Sequence, residues 1–485
     1  MLLPMAPTDS LFLLGESREH PMHVGGLAVF NPPDGASAAD MRALFDTALA
    51  GDQVAPPFRK RARRSVTSLG QWGWDHLRQE DVDLDHHVRR DALPQPGGMA
   101  ELMTLVSRLH GTLLDRSRPL WEMHLIEGLA DGRYAVYTKI HHALADGSSA
   151  MRLLRDSMSE DPQRRNMPAP WQPRTPLAAV PAPAATGVVE TAGFGASGFS
   201  AAGFGAALPS MAWDAARSAA GEVAGLLPAA LGTVDRARRG KGGAVSLTAP
   251  HTVFNVPISG ARHVAARSFP LERIRLLAKH ADATINDIVL TMCAGTLRAY
   301  LYTRDALPDN PLIAMVPVSL RAPHTGTGDR APGGNRVGVL MCNLATHLPD
   351  PAHRLETVRN CMNEGKAALQ AMSPAQVLAM SALGAAPLGV EMFLGRRGPL
   401  RPPFNVVISN VAGPRTPLYW NGARLESLYP LSIPTTGQAL NITCTSSDDQ
   451  IVFGLTGCRR IVPDLHPLLD QLDAELDLLE TAVGL

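Results

Sequence analysis

The sequence predicts an α/β protein built from two halves, and three observations lead to that fold class. At 485 residues the chain is two to three times the size of an ordinary single domain. Strand-like and helix-like patterns are mixed in both halves. Between them, residues 166–250 are rich in Pro, Gly and Ala, as is typical of a linker. We therefore expect domains at 1–165 and 251–485, joined by a linker and crossover helix at 166–250.

The first half is predicted to contain a strand, helices and a hairpin. The apolar, β-rich run MHVGGLAVF at 22–30 predicts a strand, and helical spacing follows at 38–50 and 99–115. The runs 120–129 and 133–142 flank Asp131-Gly132, which predicts a β-hairpin. The second of these strands ends at His141-His142. Ser148 and Ser149 are predicted to cap the helix that follows.

The second half repeats this mixture. A strand is predicted at 261–269, followed by helices at 270–281 and 284–302, where Thr284 and Asp287 have the spacing of a capping box. Further strands are predicted at 312–320, 336–348, 404–411, 438–446 and 450–456. Because both halves contain α/β layers, we expect the functional site where the halves meet.

Composition excludes several classes of function. Lys plus Arg and Asp plus Glu both number 45, so the chain has no overall basic field to attract nucleic acid. Its five Cys form no C-x-x-C pair, which argues against a disulfide framework and a structural zinc site. The N-terminus lacks the layout of a secretory signal, and we expect a cytoplasmic protein.

The segment 177–239 leaves two interpretations open. Phe194, Phe199 and Phe204 recur at a five-residue step, and the segment ends in a group of arginines. It is either a linker with a crossover helix or a region that docks on the inner face of the membrane or on lipid inclusions.

The most informative string is HHALADG at 141–147. It places two imidazoles at a strand end, an acid at Asp146 and a glycine at Gly147 that leaves room for a substrate or a positive φ. An imidazole is suited to deprotonating an alcohol near neutral pH. No H-E-x-x-H or third ligand at a recognisable spacing accompanies it, so we predict no metal. From the residues alone, catalysis and an ordinary structural role both stay open.

The H-H-x-x-x-D-G string resembles the motif of the acyltransferase superfamily that includes chloramphenicol acetyltransferase and peptide-synthetase condensation domains. Other segments resemble the bacterial wax ester synthase/diacylglycerol acyltransferase family. They are PMHVGG at 21–26, PLWE at 119–122, LIEGL at 125–129, ND at 286–287, MVPVSLR at 315–321, GN at 334–335 and SNVAGP at 409–414. The resemblance runs from about residue 5 to 480, interrupted at 165–250. It implies two chloramphenicol-acetyltransferase-like domains in a condensation-domain-like architecture, with the active site in a tunnel between them.

The resemblance also implies roles for particular residues. His142 would be the general base, while His141 would be structural because successive side chains of a strand point to opposite sides. Asp146 would turn away from the substrate and pair with an arginine, for which Arg321 is the candidate. Asn286 would hydrogen-bond the substrate or the tetrahedral oxyanion.

The activity implied is transfer of a long-chain acyl group from acyl-CoA to the hydroxyl of diacylglycerol, with long-chain alcohols as further acceptors. Acyl-CoA is then a substrate, and no cofactor or metal is expected. Peripheral association with a membrane or lipid droplet would fit such substrates. Two alternatives are an amide-forming condensation enzyme and a non-catalytic lipid-binding member of the fold. The chain contains no G-x-S-x-G, Walker A or post-strand G-x-G-x-x-G motif, which disfavours serine hydrolysis and nucleotide chemistry.

Overall fold

The computed structural model describes residues 2–64, 71–174, 232–233, 235–239, 242–319, 337–373, 376–377, 379–381, 384 and 401–485. Most of the predicted linker, including the Phe repeat, lies outside the described residues, and so does Arg321. No helix in the described ranges combines the length and the apolar content that crossing a bilayer requires.

The first half of the chain forms the elements that carry the H-H-x-x-x-D-G string. In order they are β1 (Leu3–Pro4), α1 (Pro7–Gly15), β2 (His23–Asn31), α2 (Ala38–Ala50), β3 (Lys60–Arg64), β4 (Trp72–His76), α3 (Leu84–His87), β5 (Val88–Ala92), α4 (Met99–His110), β6 (Trp121–Glu127), β7 (Tyr134–His141) and α5 (Gly147–Asp156). The predicted hairpin is confirmed, since β6 and β7 pair antiparallel. Its connection includes a short 3₁₀ turn in which Asp131 adopts a φ of 63°.

The second half forms a larger helical layer. Its elements are β8 (Arg262–Pro270), α6 (Leu271–His280), α7 (Ile285–Tyr302), β9 (Ile313–Ser319), β10 (Val337–Asn343), α8 (Pro351–Gln370), β11 (Val406–Val411), β12 (Tyr419–Trp420), β13 (Ala423–Leu431), β14 (Leu440–Ser447), β15 (Gln450–Cys458) and α9 (His466–Val483). The predicted capping box of α7 is confirmed: the Asp287 N–H donates to Thr284 Oγ1 and the Thr284 N–H donates to Asp287 Oδ2.

The described strands form two six-stranded sheets and one small sheet of order β1-β4-β3. The first large sheet has the order β12-β13-β2-β7-β6-β5 and is antiparallel except between β5 and β6. The second has the order β10-β9-β11-β14-β15-β8, and β11 runs parallel to both β9 and β14. Two mixed sheets with helices confirm the predicted α/β class.

One part of the architecture links the two predicted domains. Strands β12 and β13 belong to the region 251–485, yet β13 pairs with β2 and completes the first sheet. The chain then crosses back, and β14 joins the second sheet. Gly454 on β15 allows β13 of the other sheet to approach closely, because a side chain there would meet the Pro430 carbonyl oxygen at 1.8 Å. The second half therefore contributes two strands, β12 and β13, to the first sheet.

Candidate functional site

The side chains of β7 lie on two faces, one towards a cavity and the other towards the end of α4. Successive residues of a strand point to opposite faces, so Thr138, Ile140 and His142 share one face, and these three line a cavity. On the other face, Lys139 donates from Nζ to the carbonyl oxygens of Leu109 and Thr112 at the end of α4. The pleat of β7 therefore directs the second histidine of the motif, and not the first, into the cavity.

The cavity lies between the two large sheets and has a volume of about 610 Å³. This size falls within the usual range for a small-molecule site. Most of its lining is apolar. The first half contributes Leu11, Phe12, Met22, Val24, Ile140, Met151 and Leu154, and the second contributes Met315, Phe404, Val407, Val411, Leu428 and Ile433. Transfer of a hydrocarbon chain from water into such a space is favourable.

His142 is fixed at the cavity wall by its backbone and its ring. Its N–H donates to the Met22 carbonyl oxygen at 2.9 Å, and its imidazole stacks on Phe12 with ring centroids 4.0 Å apart. Desolvation lowers the pKa of His142 to about 4, although the negative charge of Asp146 acts to raise it. The imidazole is therefore neutral at pH 7 and has a lone pair available to accept a proton.

His141 lies buried behind the cavity wall. Its Nδ1 accepts a hydrogen bond from the Ala143 N–H at 3.0 Å, and its Nε2 lies 3.4 Å from Glu16 Oε1. Glu16 also accepts from Arg116 Nε at 2.7 Å. Burial raises the pKa of the Glu16 carboxyl, but His141, Arg116 and the Met22 N–H outweigh that effect and hold it below its ordinary value. These contacts tie the turn after β7 to the N-terminal segment.

Asp146 and Gly147 form the start of α5. Asp146 is its N-cap, because Oδ1 accepts from the Ser149 N–H at 2.7 Å. The predicted cap at Ser148 and Ser149 is therefore wrong, since Asp146 has the same capping chemistry and precedes them. Gly147 lines the cavity, and a Cβ there would meet no atom within 4 Å. Its φ is not positive, so what it provides is space.

The predicted roles of the other two residues are not tested by the described part of the chain. Asn286, in the first turn of α7, accepts from Asn410 Nδ2 at 3.4 Å. Asn286 is not among the described residues that line the cavity. Its role as an oxyanion donor stays a prediction. The pairing of Asp146 with Arg321 also stays a prediction, since Arg321 lies outside the described residues.

Sequence reasoning missed a polar strip on the cavity wall of the second sheet. It consists of Ser409 on β11, Gln438 in the turn before β14, and Asn441 and Thr443 on β14. Ser409 pairs with Thr443 in the sheet, which puts both on one face. The i, i+2 spacing of Asn441 and Thr443 is a signal for a shared face, but the sequence cannot show that this face borders a cavity.

A buried ion pair supports β7 from behind. Lys139 Nζ lies 3.0 Å from Glu122 Oε2 on β6, and both side chains are almost fully buried. Burial raises the pKa of Glu122, but hydrogen bonding to His124 and the charge of Lys139 bring it down to about 2. Glu122 is thus ionised at neutral pH and depends on its cationic neighbours.

Neither a metal nor a cysteine nucleophile is suggested by the site. Within the described ranges, no three His, Cys, Asp or Glu side chains are arranged to hold a metal ion. All five cysteines are buried and free. Burial raises the pKa of the Cys293 thiol far above its ordinary value, so it would not supply a thiolate.

Comparison with known families and relatives gives one consistent picture. The model of the wax ester synthase/diacylglycerol acyltransferase catalytic domain matches residues 5–289, and that of the WS/DGAT C-terminal domain matches residues 333–480. A Mycobacterium tuberculosis protein assigned as a diacylglycerol O-acyltransferase is 53% identical over 480 residues, covering 99% of this chain and 91% of the relative. A second from the same organism is 46% identical over 485 residues, covering 99% of both.

Solved structures show the same relationship. The wax ester synthase/diacylglycerol acyltransferase from Marinobacter aquaeolei VT8 is 39% identical, covers 100% of both chains and superposes with a TM-score of 0.76. The first condensation domain of the calcium-dependent antibiotic synthetase is 17% identical, with coverage of 100% of this chain and 97% of that one and a TM-score of 0.54. The second likeness concerns the fold alone, and it confirms the predicted condensation-domain-like architecture.

Proposed function

Because the chain belongs to the wax ester synthase/diacylglycerol acyltransferase family and is thus an acyltransferase, we propose that it transfers a long-chain acyl group from acyl-CoA to the hydroxyl of diacylglycerol. Triacylglycerol and CoA are the products. The observation that carries this proposal is a neutral imidazole, that of His142, at the wall of an apolar cavity between the two halves.

In the proposed mechanism, His142 removes the proton from the acceptor hydroxyl while its oxygen attacks the thioester carbonyl carbon. The tetrahedral intermediate then re-forms its carbonyl and breaks the carbon–sulfur bond. The proton held by His142 passes to the departing CoA sulfur, so the base returns to its neutral state. The step requires no covalent acyl-enzyme and consumes one acyl-CoA for each ester formed.

The remaining motif residues would position the base. His141 anchors the turn through Ala143 and Glu16, and Asp146 fixes the start of α5. Gly147 leaves room for the reacting groups beside the base. We assign His141, Asp146 and Gly147 as positioning residues. The described contacts of His141 and Asp146 are with protein groups, and the space beside Gly147 is empty. We also propose that the protein acts in the cytoplasm at a membrane or lipid-inclusion surface, where its lipid acceptor resides.

Product analysis tests the proposed activity. Purified protein is incubated with labelled palmitoyl-CoA and equal concentrations of dioleoylglycerol, hexadecanol and hexadecylamine, and products are separated by thin-layer chromatography. We expect triacylglycerol to dominate, with wax ester as a lesser product. Dominant wax ester would refute the acceptor preference. Dominant amide would favour a condensation-type reaction, and a lack of any product would favour a lipid-binding role.

The low pKa of His142 predicts an unusual pH profile. A base must be neutral to act, so a pKa near 4 keeps kcat/KM level as the pH falls from 8 to 5.5. A base with the ordinary histidine pKa of about 6.5 would lose about tenfold at pH 5.5. The pH dependence of kcat/KM with palmitoyl-CoA decides between them, and an inflection near 6.5 would contradict the assignment.

That profile needs a fold control at each pH. Desolvation also lowers the pKa of the buried His110 to about 3. The unfolded chain, in which histidine has a pKa of about 6.5, therefore binds a proton more readily than the folded protein does. The stability that neutral His110 contributes above about pH 6.5 is lost as the pH falls towards its folded-state pKa. Circular dichroism should therefore accompany every rate measurement.

Direct transfer predicts that no acyl group attaches to the protein. Enzyme mixed with palmitoyl-CoA alone and quenched in acid should keep its unmodified mass, because the described cysteines are buried. Cys293→Ala should retain activity within about twofold, as expected for a residue outside the chemistry. An acyl adduct on any residue, found by intact-protein and peptide mass spectrometry, would overturn direct transfer.

A further inference from the structure

The polar strip lies in the wall of a mostly apolar cavity, and its presence there needs a physical explanation. One of its members is Gln438, which is only 3% exposed and lines the cavity. The Nε2 of Gln438 has no hydrogen-bond partner among the described residues. A buried amide donor without a partner is costly, so such a group is retained where a ligand can satisfy it.

The backbone around Gln438 is held firmly. The Gln438 N–H donates to the Thr435 carbonyl oxygen at 2.8 Å, and the Thr435 N–H donates back to that of Gln438 at 3.1 Å. Gly437 supplies the left-handed φ of 84° that this tight turn requires. Asn255 Nδ2 binds the Gly437 carbonyl oxygen at 2.8 Å. The side chain of Gln438 therefore extends from a backbone that is already ordered. Less conformational entropy of the protein is then lost when a ligand binds.

A second carboxamide, that of Asn441, belongs to the same strip. Asn441 is also 3% exposed, and its Oδ1 accepts from Thr443 Oγ1 at 2.9 Å. The amide oxygen of Asn441 thus accepts one hydrogen bond from the protein, and its NH₂ group is a donor. Gln438 and Asn441 therefore bring two carboxamide groups to the cavity wall, and a ligand with hydrogen-bond acceptors would complement their NH₂ groups.

The possible substrates differ in this respect. The pantetheine arm of CoA carries amide N–H groups as well as carbonyls and would need acceptors too. A long-chain alcohol has no polar atom beyond its hydroxyl. Diacylglycerol has two ester carbonyl oxygens that only accept hydrogen bonds, and they lie within a few bonds of the hydroxyl that reacts.

We propose that Gln438 determines acceptor specificity by donating a hydrogen bond from Nε2 to an ester carbonyl oxygen of the diacylglycerol. This inference rests on the proposed function. It assigns the polar strip to the glyceride part of the acceptor and the apolar walls to the hydrocarbon chains.

The test compares three acceptors with wild-type protein and with Gln438→Met, which keeps the length of the side chain but removes the amide. The acceptors are 1,2-dioleoylglycerol, its diether analogue without ester carbonyls, and hexadecanol, each with saturating palmitoyl-CoA. For the wild type we expect KM on the order of tenfold lower for the diester than for the diether. In Gln438→Met this advantage should disappear, and turnover of hexadecanol should fall less than turnover of the diester. Gln53→Met, at an exposed glutamine, is the matched control.

Three other outcomes would overturn the inference. Equal loss with all three acceptors would mean that Gln438 acts on the acyl-CoA or on the fold. An unchanged preference for the diester in Gln438→Met would mean that another group binds the carbonyl. The wild-type comparison of diester with diether needs no variant, and equal KM values would contradict the proposal even if Gln438→Met failed to fold. If the wild type made no triacylglycerol, the proposed function itself would have failed, which is a separate result.

Discussion

His142→Ala is expected to lower kcat for triacylglycerol formation by about 10²–10⁴-fold, which is the usual contribution of a positioned general base. The imidazole lines the cavity and stacks on Phe12, while the strand at this point is held by the backbone bond from the His142 N–H to the Met22 carbonyl oxygen. The substitution should therefore leave the fold intact. The measurement is the initial rate with palmitoyl-CoA and dioleoylglycerol, together with the melting temperature.

The matched control is His251→Ala, at an exposed histidine. It should keep wild-type activity. A folded His142→Ala protein with near-native turnover would show that another group removes the hydroxyl proton, and the proposed mechanism would be wrong.

Lys139→Met is expected to destabilise the protein by about 3–5 kcal/mol, because it leaves the Glu122 carboxylate buried without its nearest cation. Two carbonyl oxygens at the end of α4 would also lose their donor. The free energy of unfolding, taken from urea titration at pH 7, measures the effect. We also expect a lower activity, because Lys139 lies in the strand that positions His142.

Two further variants separate this explanation from a general loss of packing. Lys279→Met, at an exposed lysine, should change the free energy of unfolding by no more than about 0.5 kcal/mol. Adding Glu122→Gln to Lys139→Met should recover part of the loss, because the uncompensated charge is gone. A double variant that is less stable than Lys139→Met would contradict the charge-based explanation.

Local signals in the sequence predicted local structure well. The helical spacing at 38–50 corresponds to α2 at Ala38–Ala50, and the capping box at Thr284 marks the start of α7. Helix α4 ends at His110, earlier than predicted, and its C-cap Gly111 lies close to the backbone at Gly260 and Arg262. That contact joins the two halves, and no local pattern around Gly111 reveals it.

Long-range pairing is what the sequence could not supply. The pairing of β13 with β2 joins residues about 400 positions apart, and no periodicity within either strand specifies the partner. The position of Gln438 depends on the same crossing, because the chain passes from β13 in the first sheet to β14 in the second just there. The resemblance of the H-H-x-x-x-D-G string to a known family pointed to His142, whereas the polar strip forms only when strands from distant parts of the chain come together in the second sheet.

The measurement that tests the central claim most directly is a structure of the protein bound to both an uncleavable palmitoyl-CoA analogue, the S-hexadecyl thioether, and dioleoylglycerol. We expect the hexadecyl chain in the cavity between β7 and β11, and the acceptor hydroxyl about 2.6–3.2 Å from a ring nitrogen of His142. A complex with the acceptor hydroxyl outside the cavity, or against Asn286 and away from the His142 ring, would contradict the account.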